Sequence, residues 1–417
     1  MSAYKKKHRP NPLAILATLL VFLALAWYAM QVLTPKDEWG LPIHGTIYDE
    51  KQNTADILFL GPSHVFTSVN PAMFWDNYGI AANLVSDGNQ SVFASYYYAV
   101  EFFKTQRPKL VVLDVYEINT QDEFFGSGNA LNILATMPWS ENKKEAINAC
   151  LLPEMRASAR NPLAYYHTSY ASVTKEALLL TKNTADNFKG FHPRQEISPQ
   201  ETPPPWDDAA LEYMMIKNTD YLTKLEDLCR QNGAQLLYVC TPYSIVAEDM
   251  GYLNHMAIYA NEHSVPFINL NRMTDEIGLS YAFDAGDAGH LNLLGAEKVT
   301  YALMNYIVQN YSFTDHRADP AYSSYAASAA AIDSYSVQIK TILREDAEVS
   351  MQQAQDNLAQ FERLATDAVI VAEQGQGTSD YEALLRAADD ARITLDAVRE
   401  EYNKILENYN RLCEQLG

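Results

Sequence analysis

The feature that most limits how this chain can fold is an apolar run near its amino terminus. Residues 13–33 are apolar except for Thr18 and Gln31, and about twenty such residues in a helix span a hydrocarbon core of roughly 30 Å. Trp27 and Tyr28 lie near the end of the run, where amphipathic rings favour a membrane interface. The run predicts a transmembrane anchor over residues 13–33. A cleavable signal peptide is the alternative, but it would need a shorter apolar region and a small-residue cleavage site, which Ala-Trp-Tyr-Ala-Met fits poorly.

Charge is distributed unevenly on either side of this run. The residues before it include Lys5, Lys6, Lys7 and Arg9. Because basic flanks stay on the cytoplasmic side, we predict a cytoplasmic stub over residues 1–12 and a single-pass protein of the cell membrane whose body is extracytoplasmic. The 417 residues hold 31 Lys and Arg against 52 Asp and Glu, a formal net charge of −21. Such a chain repels phosphate backbones, so we expect no nucleic-acid partner.

The body of the chain, residues 37–335, alternates short apolar runs with helical patterns. Runs of Val, Ile and Leu are typical of parallel strands covered on both faces, and strands that alternate with helices imply right-handed crossovers. The pattern predicts a three-layer α/β/α domain with a mostly parallel five-stranded sheet, interrupted by a helical insertion at about 122–206. Ligands bind at the carboxyl ends of such strands. The predicted strands are 56–60, 81–85, 110–115, 235–240 and 266–270, and the predicted helices between them are 92–106, 208–231, 252–263 and 294–309.

Polar segments follow two of these strands. The segment 61–64, Gly-Pro-Ser-His, comes directly after the first strand. A serine at a strand-to-helix turn exposes its hydroxyl, and its N–H lies at a helix N-terminus, where anions bind. Taken alone, Ser63 fits a helix N-cap better. The segment 86–90, Ser-Asp-Gly-Asn-Gln, follows the second strand and contains Gly88, whose N–H can approach a ligand closely.

The most informative segment is 283–292, Phe-Asp-Ala-Gly-Asp-Ala-Gly-His-Leu-Asn, at the start of the last helix of the body. Asp287 and His290 are three positions apart, so one turn can bring the carboxylate under the imidazole. The carboxylate would then fix the imidazole tautomer while His290 takes a proton from a serine hydroxyl. An Asp N-cap beside a surface His and a metal site are the alternatives. The sequence offers no further metal ligands and no CxxC motif, so we expect no metal and no other cofactor.

Together these segments resemble the SGNH/GDSL hydrolase superfamily. Within it they look like the membrane-anchored bacterial branch related to proteins that O-acetylate alginate and peptidoglycan and to the D-alanyl-lipoteichoic acid protein. The resemblance covers about residues 55–325 and implies a flavodoxin-like fold. It also implies that Ser63 is the nucleophile, that the Gly88 and Ser63 N–H groups form an oxyanion hole, and that Asp287 and His290 complete a triad. The Asp-x-x-His block, followed by Leu-Asn and Gly-Ala, is the more specific part.

One family feature is missing after the third strand. Soluble members carry Gly-x-Asn there, and its Asn donates to the oxyanion, whereas the segment 113–119 reads Leu-Asp-Val-Tyr-Glu-Ile-Asn. The Tyr116 hydroxyl, Asn89 and Asn119 are the candidates to replace that donor. Losing one such donor costs about 3–4 kcal/mol of transition-state stabilisation. The departure is compatible with a weak hydrolase, with an enzyme that hands an acyl group to a sugar, and with a degenerate binding protein.

The composition changes over residues 336–417, where Ala, Gln, Glu and Asp dominate. Apolar or small residues recur at alternating spacings of three and four over 351–368 and over 388–412, which is the pattern of a coiled-coil seam. Ser379 and Glu382 form a capping box before the second helix. We predict an antiparallel coiled-coil hairpin, acting as a spacer or docking arm.

Two functions from different classes are compatible with these features. The first is a membrane-anchored serine esterase or O-acyltransferase that forms or removes acetyl-type esters on a cell-surface glycan. The resemblance implies that a membrane-bound O-acyltransferase partner supplies the acyl groups. The second is a non-catalytic glycan-binding or assembly protein that keeps the fold and organises partners through its coiled coil. Labelling of Ser63 by a serine-directed phosphonate distinguishes the two functions.

The predicted orientation can be tested by proteolysis of intact cells. We expect added protease to remove the body and to leave the stub and the anchor, because the residues before the apolar run are basic. Replacing those basic residues with glutamate serves as the control and should weaken the orientation. A body that resists protease until the cells are permeabilised would contradict the predicted topology.

Overall fold

A computed structural model of the protein describes residues 11–33, 43–48, 50–124, 131, 134, 137–161, 170, 173, 175–180 and 188–416. The four basic residues of the predicted stub lie outside the described residues, as do parts of the predicted insertion at 122–206.

The fold is organised around a five-stranded sheet. Its strands are β1 Ile57–Gly61, β2 Ala82–Ser86, β3 Leu110–Asp114, β4 Gln235–Cys240 and β5 Phe267–Asn269. Their order in the sheet is β2-β1-β3-β4-β5, and every neighbouring pair is parallel. β1, β2 and β3 are buried along their whole length. The prediction of a parallel five-stranded α/β sheet is confirmed, and the observed strand ends lie close to the predicted ones.

Helices cover both faces of the sheet. Successive side chains of a strand point to opposite faces, so Leu58 and Leu60 of β1 pack in one hydrophobic cluster and Ile57 and Phe59 in another. The α-helices of the described residues are α1 Pro12–Leu33, α2 Ile43–Tyr48, α3 Ser63–Ser68, α4 Pro71–Tyr78, α5 Val92–Phe102, α6 Glu141–Cys150, α7 Arg156–Arg160, α8 Lys175–Leu178, α9 Ile216–Asn232, α10 Ala247–His263, α11 Thr274–Ile277, α12 Leu293–Asn310, α13 Ser323–Gln374 and α14 Tyr381–Leu416, and 3₁₀ turns occupy Tyr116–Asn119, Leu270–Arg272 and Pro320–Tyr322. The first cluster contains residues of α5, α6, α9 and α10, and the second contains residues of α3, α4, α12 and α13.

Two helices of the body begin away from their predicted positions. The helix predicted at 208–231 begins only at Ile216. The preceding residues form no helix, and side chains of α10 bond to their backbone instead: Asn254 Nδ2 donates to Ala210 O at 2.8 Å, and His255 Nδ1 accepts the Met214 N–H at 3.1 Å. The next predicted helix begins earlier than expected, at Ala247.

The amino-terminal helix α1 is long and apolar enough to cross a membrane. Its side chains are almost all exposed, as expected for a helix that is not part of the protein core. Tyr28, near its end, donates a hydrogen bond to the Leu178 carbonyl at 2.8 Å, so the helix touches the described part of the insertion.

The long carboxy-terminal helix α13 begins inside the α/β body. Its residues Tyr325, Ile332, Ile339 and Leu343 are buried in the second hydrophobic cluster, and the helix continues without a break through the predicted boundary at 336. The first part of α13 is therefore a layer of the α/β domain, and only its later part extends beyond that domain.

Helix α14 packs along α13. Arg399 Nη2 of α14 lies 3.2 Å from Glu362 Oε1 of α13. Gly375 directly follows α13, and a Cβ added there would collide with the side chain of Leu384, near the start of α14. Near the end of α14, Leu412 is buried in the same cluster as the body. The end of the chain therefore returns to the α/β domain.

The role of α13 in the core can be measured by comparing two neighbouring positions. Leu343 is fully buried, whereas Ile342 is 40% exposed. We expect Leu343→Ala to lower the free energy of unfolding by about 2–5 kcal/mol, because it leaves a cavity in a packed core. Ile342→Ala should change it by less than about 1 kcal/mol. Equal effects of the two substitutions in chemical denaturation would show that α13 is not part of the body.

Candidate active site

Strand β1 ends at Gly61, and Ser63 is the first residue of the helix α3 that follows it. The N-cap of that helix is Pro62, so the alternative in which Ser63 is the N-cap is wrong. Gly61 permits the sharp turn: its φ is +147°, and an added Cβ would lie 2.8 Å from Val65 Cγ2 and 2.9 Å from Asp114 Cβ. A larger residue would push the start of α3 away from the end of β3.

Ser63, His290 and Asp287 are in direct contact. Ser63 Oγ lies 2.7 Å from His290 Nε2. On the other side of the ring, His290 Nδ1 lies 2.8 Å from Asp287 Oδ1 and 3.0 Å from Asp287 Oδ2. These contacts have the order and the distances of a serine nucleophile, a general base and an orienting carboxylate.

The loop that carries Asp287 and His290 is held in shape by its own backbone. Asp287 Oδ1 accepts the N–H groups of Gly289 and His290, each at 2.9 Å, and the His290 carbonyl accepts the Asp287 N–H at 3.2 Å. The N-cap of α12 is Asn292, whose side chain accepts the N–H groups of Leu294 and Gly295. The alternative in which Asp287 is the helix N-cap is therefore wrong, and its carboxylate faces the imidazole.

Asp287 is charged at neutral pH. Burial would raise the pKa of its carboxyl group, but the charge of His290, the N–H of Gly289 and the guanidinium of Arg194 outweigh burial and hold the pKa below its usual value. Arg194 makes an ion pair with Asp287 Oδ2. A carboxylate of this kind can orient the imidazole and stabilise the imidazolium form that appears when Ser63 loses its proton.

A second histidine, His64, packs against the site. Its ring stacks on Tyr116 at 3.8 Å between centroids, meets the edge of Tyr243, and lies 5.6 Å from the ring of His290. His64 is 1% exposed, and burial, reinforced by the nearby charge of His290, lowers its pKa to about 3. His64 is therefore neutral at physiological pH.

A hydrogen-bond network fixes the orientation of His64. Asp114 Oδ2 accepts both the N–H and the hydroxyl of Thr241, at 3.0 and 2.8 Å, and Asp114 Oδ1 accepts the Tyr116 N–H at 2.9 Å. Burial raises the pKa of Asp114 to about 6, and these hydrogen bonds oppose that rise. Since the Thr241 hydroxyl gives its proton to Asp114, it can only accept from His64 Nδ1, 3.5 Å away. The network thus assigns the proton of His64 to Nδ1.

The predicted oxyanion donor Gly88 lies in the loop next to that of Ser63, but its N–H is bonded to another group. The pairing of Gly61 with Ser86 places the two following loops side by side. However, the Gly88 N–H donates to Asp87 Oδ1 at 2.6 Å. Asp87 is 1% exposed, and burial, which the Gly88 hydrogen bond opposes, raises its pKa to about 8. A protonated, uncharged Asp87 therefore occupies the Gly88 N–H at neutral pH.

The three candidate replacement donors have different surroundings. Tyr116 is half-buried against His64, and burial raises the pKa of its hydroxyl to about 12, so the hydroxyl keeps its proton. Asn89 is exposed and adopts the left-handed backbone conformation, with φ of 58°. Asn119 Nδ2 donates to Asp249 Oδ1 at 2.9 Å. Of these three side chains, Tyr116 is the one joined to the Ser63 segment, through its contact with His64.

Sequence reasoning missed His64, Arg194 and the Asp114–Thr241 pair. His64 lies directly after Ser63 in the segment 61–64, where no local pattern distinguishes a supporting histidine. Arg194 is separated from Asp287 by 93 positions, and Thr241 from Asp114 by 127. No local spacing connects residues so far apart. Within the described part of the chain, no three His, Cys, Asp or Glu side chains are placed to hold a metal ion.

Comparison with known proteins adds no assignment to this geometry. A scan against protein-family models gives no match for the chain, and a search of curated proteins gives no match either. The SGNH resemblance therefore depends on the motifs and on the site described above.

The neutral state of His64 predicts a pH dependence of stability. The pKa of His64 is lowered on folding, so between pH 6.5 and about 3 the unfolded chain binds a proton that the folded chain does not. The free energy of unfolding therefore decreases as the pH is lowered through this range. His64→Phe keeps the ring and removes this proton. We expect the free energy of unfolding to fall less between pH 7 and pH 5 in that variant, by up to about 2 kcal/mol.

The half-buried His255 provides the control for this measurement. His255→Gln should leave most of the pH dependence in place, as judged by urea denaturation at the two pH values. Identical pH profiles for wild type and His64→Phe would show that folding does not lower the pKa of His64.

Proposed function

We propose that this protein is a serine esterase or O-acyltransferase of the SGNH type, which forms or removes acetyl-type esters on a cell-surface glycan. The observation that supports this function most directly is the pair of hydrogen bonds that joins Ser63 to His290 and His290 to Asp287. Ser63 Oγ lies 2.7 Å from His290 Nε2, and His290 Nδ1 lies 2.8 Å from Asp287 Oδ1. The position of these three residues at the carboxyl ends of a parallel sheet also favours a catalytic site, because such sheets bind ligands there.

The proposed reaction proceeds by two acyl-transfer steps. Ser63 Oγ attacks the acyl carbonyl while His290 Nε2 takes its proton, and Asp287 stabilises the imidazolium. The Ser63 N–H donates to the oxyanion of the tetrahedral intermediate. His290 then gives the proton to the departing alcohol oxygen, which leaves an acyl ester on Ser63. In the second step His290 deprotonates water or a sugar hydroxyl, whose oxygen attacks the ester and releases Ser63.

Further features support a location at the membrane. Helix α1 has the length and apolar character of an anchor, and the basic residues before it favour a cytoplasmic amino terminus with the body outside. We further propose that α13 and α14 form an antiparallel coiled-coil hairpin that serves as a spacer or docking arm. A membrane-bound O-acyltransferase partner would supply the acyl groups, in line with the family resemblance.

One observation favours the second function, a non-catalytic glycan-binding or assembly protein. The Gly88 N–H, which the resemblance assigns to the oxyanion hole, donates to Asp87 Oδ1. Losing one oxyanion donor slows catalysis by about 100- to 1,000-fold. A serine-directed phosphonate that labels wild type but not Ser63→Ala supports the enzyme, and absence of labelling in wild type supports the binding protein.

The esterase proposal is tested with p-nitrophenyl acetate and the full chain in detergent. We expect Ser63→Ala and His290→Ala each to lower kcat by at least about 1,000-fold, and the double variant to add little, because triad members act as a unit. Asp287→Asn should be equally or less severe. Ser312→Ala, at an exposed serine away from the site, should keep wild-type activity. Undiminished turnover by Ser63→Ala would exclude the serine mechanism.

A further inference from the structure

The end of the predicted insertion forms a segment, residues 191–200, that we call the strap. Its backbone is bonded to both halves of the candidate site. The His192 N–H donates to Phe66 O of α3 at 2.7 Å, and the Arg194 carbonyl accepts the Leu293 N–H at 3.0 Å. Further along, the Ser198 N–H donates to the Ala285 carbonyl at 2.9 Å. The strap therefore lies against the helix of the nucleophile and against the loop of Asp287 and His290.

One side chain of the strap reaches the candidate triad. Arg194 Nη1 donates to Asp287 Oδ2, and Arg194 Nε lies 3.5 Å from Glu196 Oε2. The Arg194 side chain is 19% exposed, whereas that of Asp287 is 42% exposed. A carboxylate so open to water is free to rotate and to bond with solvent unless another group holds it.

The loop opposite is shaped to accept this arginine. Gly286 lies directly before Asp287, and an added Cβ there would be 3.1 Å from Arg194 Nε and 3.3 Å from Arg194 Cδ. Both distances are tighter than ordinary van der Waals contact, so the absence of a side chain at Gly286 lets the guanidinium approach the carboxylate.

We infer that Arg194 is a positioning residue of the active site, which holds the Asp287 carboxylate in the orientation that directs His290 toward Ser63. The inference rests on the proposed serine mechanism and extends it to the insertion. Asp287 Oδ1 already accepts two backbone N–H groups, and Arg194 supplies a charged donor to Oδ2. With both oxygens bonded, the carboxylate cannot rotate away from His290 Nδ1.

The charged and titratable groups around Asp287 come from three elements. His290 belongs to its own loop, Arg194 and Glu196 belong to the strap, and His64 belongs to α3. Arg194 contributes the positive charge that helps to lower the pKa of Asp287. Its removal should raise the pKa of Asp287. It also takes a positive charge away from the general base, so the acid limb of the pH–rate profile, which reports protonation of that base, should move to higher pH.

The test compares four variants of the full chain by kcat and KM for p-nitrophenyl acetate between pH 5 and 9. Arg194→Gln should lower kcat by roughly 10- to 100-fold with a smaller change in KM, and it should shift the acid limb upward. Arg194→Lys should recover part of kcat, because it restores the charge without the planar fork. Gly286→Ala should lower kcat a few-fold through displacement of the guanidinium. Arg160→Gln, at an insertion arginine that binds Asn148, should behave as wild type.

Each outcome decides the inference. Ser63-dependent hydrolysis in wild type, with a kcat and pH profile unchanged in Arg194→Gln, overturns the role of Arg194 and leaves the proposed function intact. A wild type without Ser63-dependent hydrolysis overturns both. Circular dichroism melting establishes that each variant is folded; if Arg194→Gln is not, unchanged kcat in both Arg194→Lys and Gly286→Ala overturns the inference.

Discussion

The parallel pairing of β1 with β2 on one side and with β3 on the other is the constraint on which the candidate site depends. It brings the ends of three strands to one edge, so that the turn after β1 lies between the loops after β2 and β3. The close approach of Gly61 to Asp114 follows from this pairing. The nucleophile position, the neighbouring glycine loop and the carboxylate that supports His64 are consequences of the same hydrogen-bond ladder.

The sequence was most informative where the structure depends on local pattern. Buried apolar runs predicted the strands, and the short spacing between Asp287 and His290 predicted their contact. The strand-to-helix turn indicated an exposed hydroxyl at Ser63, and the family resemblance assigned it the role of nucleophile. These features arise within one turn or one strand, so neighbouring residues carry enough information. The start of α9 could not be predicted in this way, because side chains of α10 satisfy the backbone just before it.

The part of the site that could not be predicted depends on tertiary packing. Arg194, Thr241 and Asp114 come from distant positions, and their proximity follows only from the sheet order and from the path of the insertion. The end of the insertion also protects the edge of β2, since the Lys189 carbonyl accepts the Leu84 N–H at 2.9 Å. In addition, the Lys189 side chain makes a buried ion pair with Glu50. The end of the insertion is thus integrated into the domain.

The continuity of α13 has a mechanical consequence. Its 52 residues make a rod of about 78 Å, of which roughly 40 Å lies beyond Ala347, the last residue of α13 in the second hydrophobic cluster. Neither proline nor glycine interrupts the rod, so it has no built-in hinge. A force applied at its far end is transmitted as torque to the layer of the domain that covers the sheet. The rod therefore acts as a lever about half of whose length is embedded in the α/β domain that carries the site.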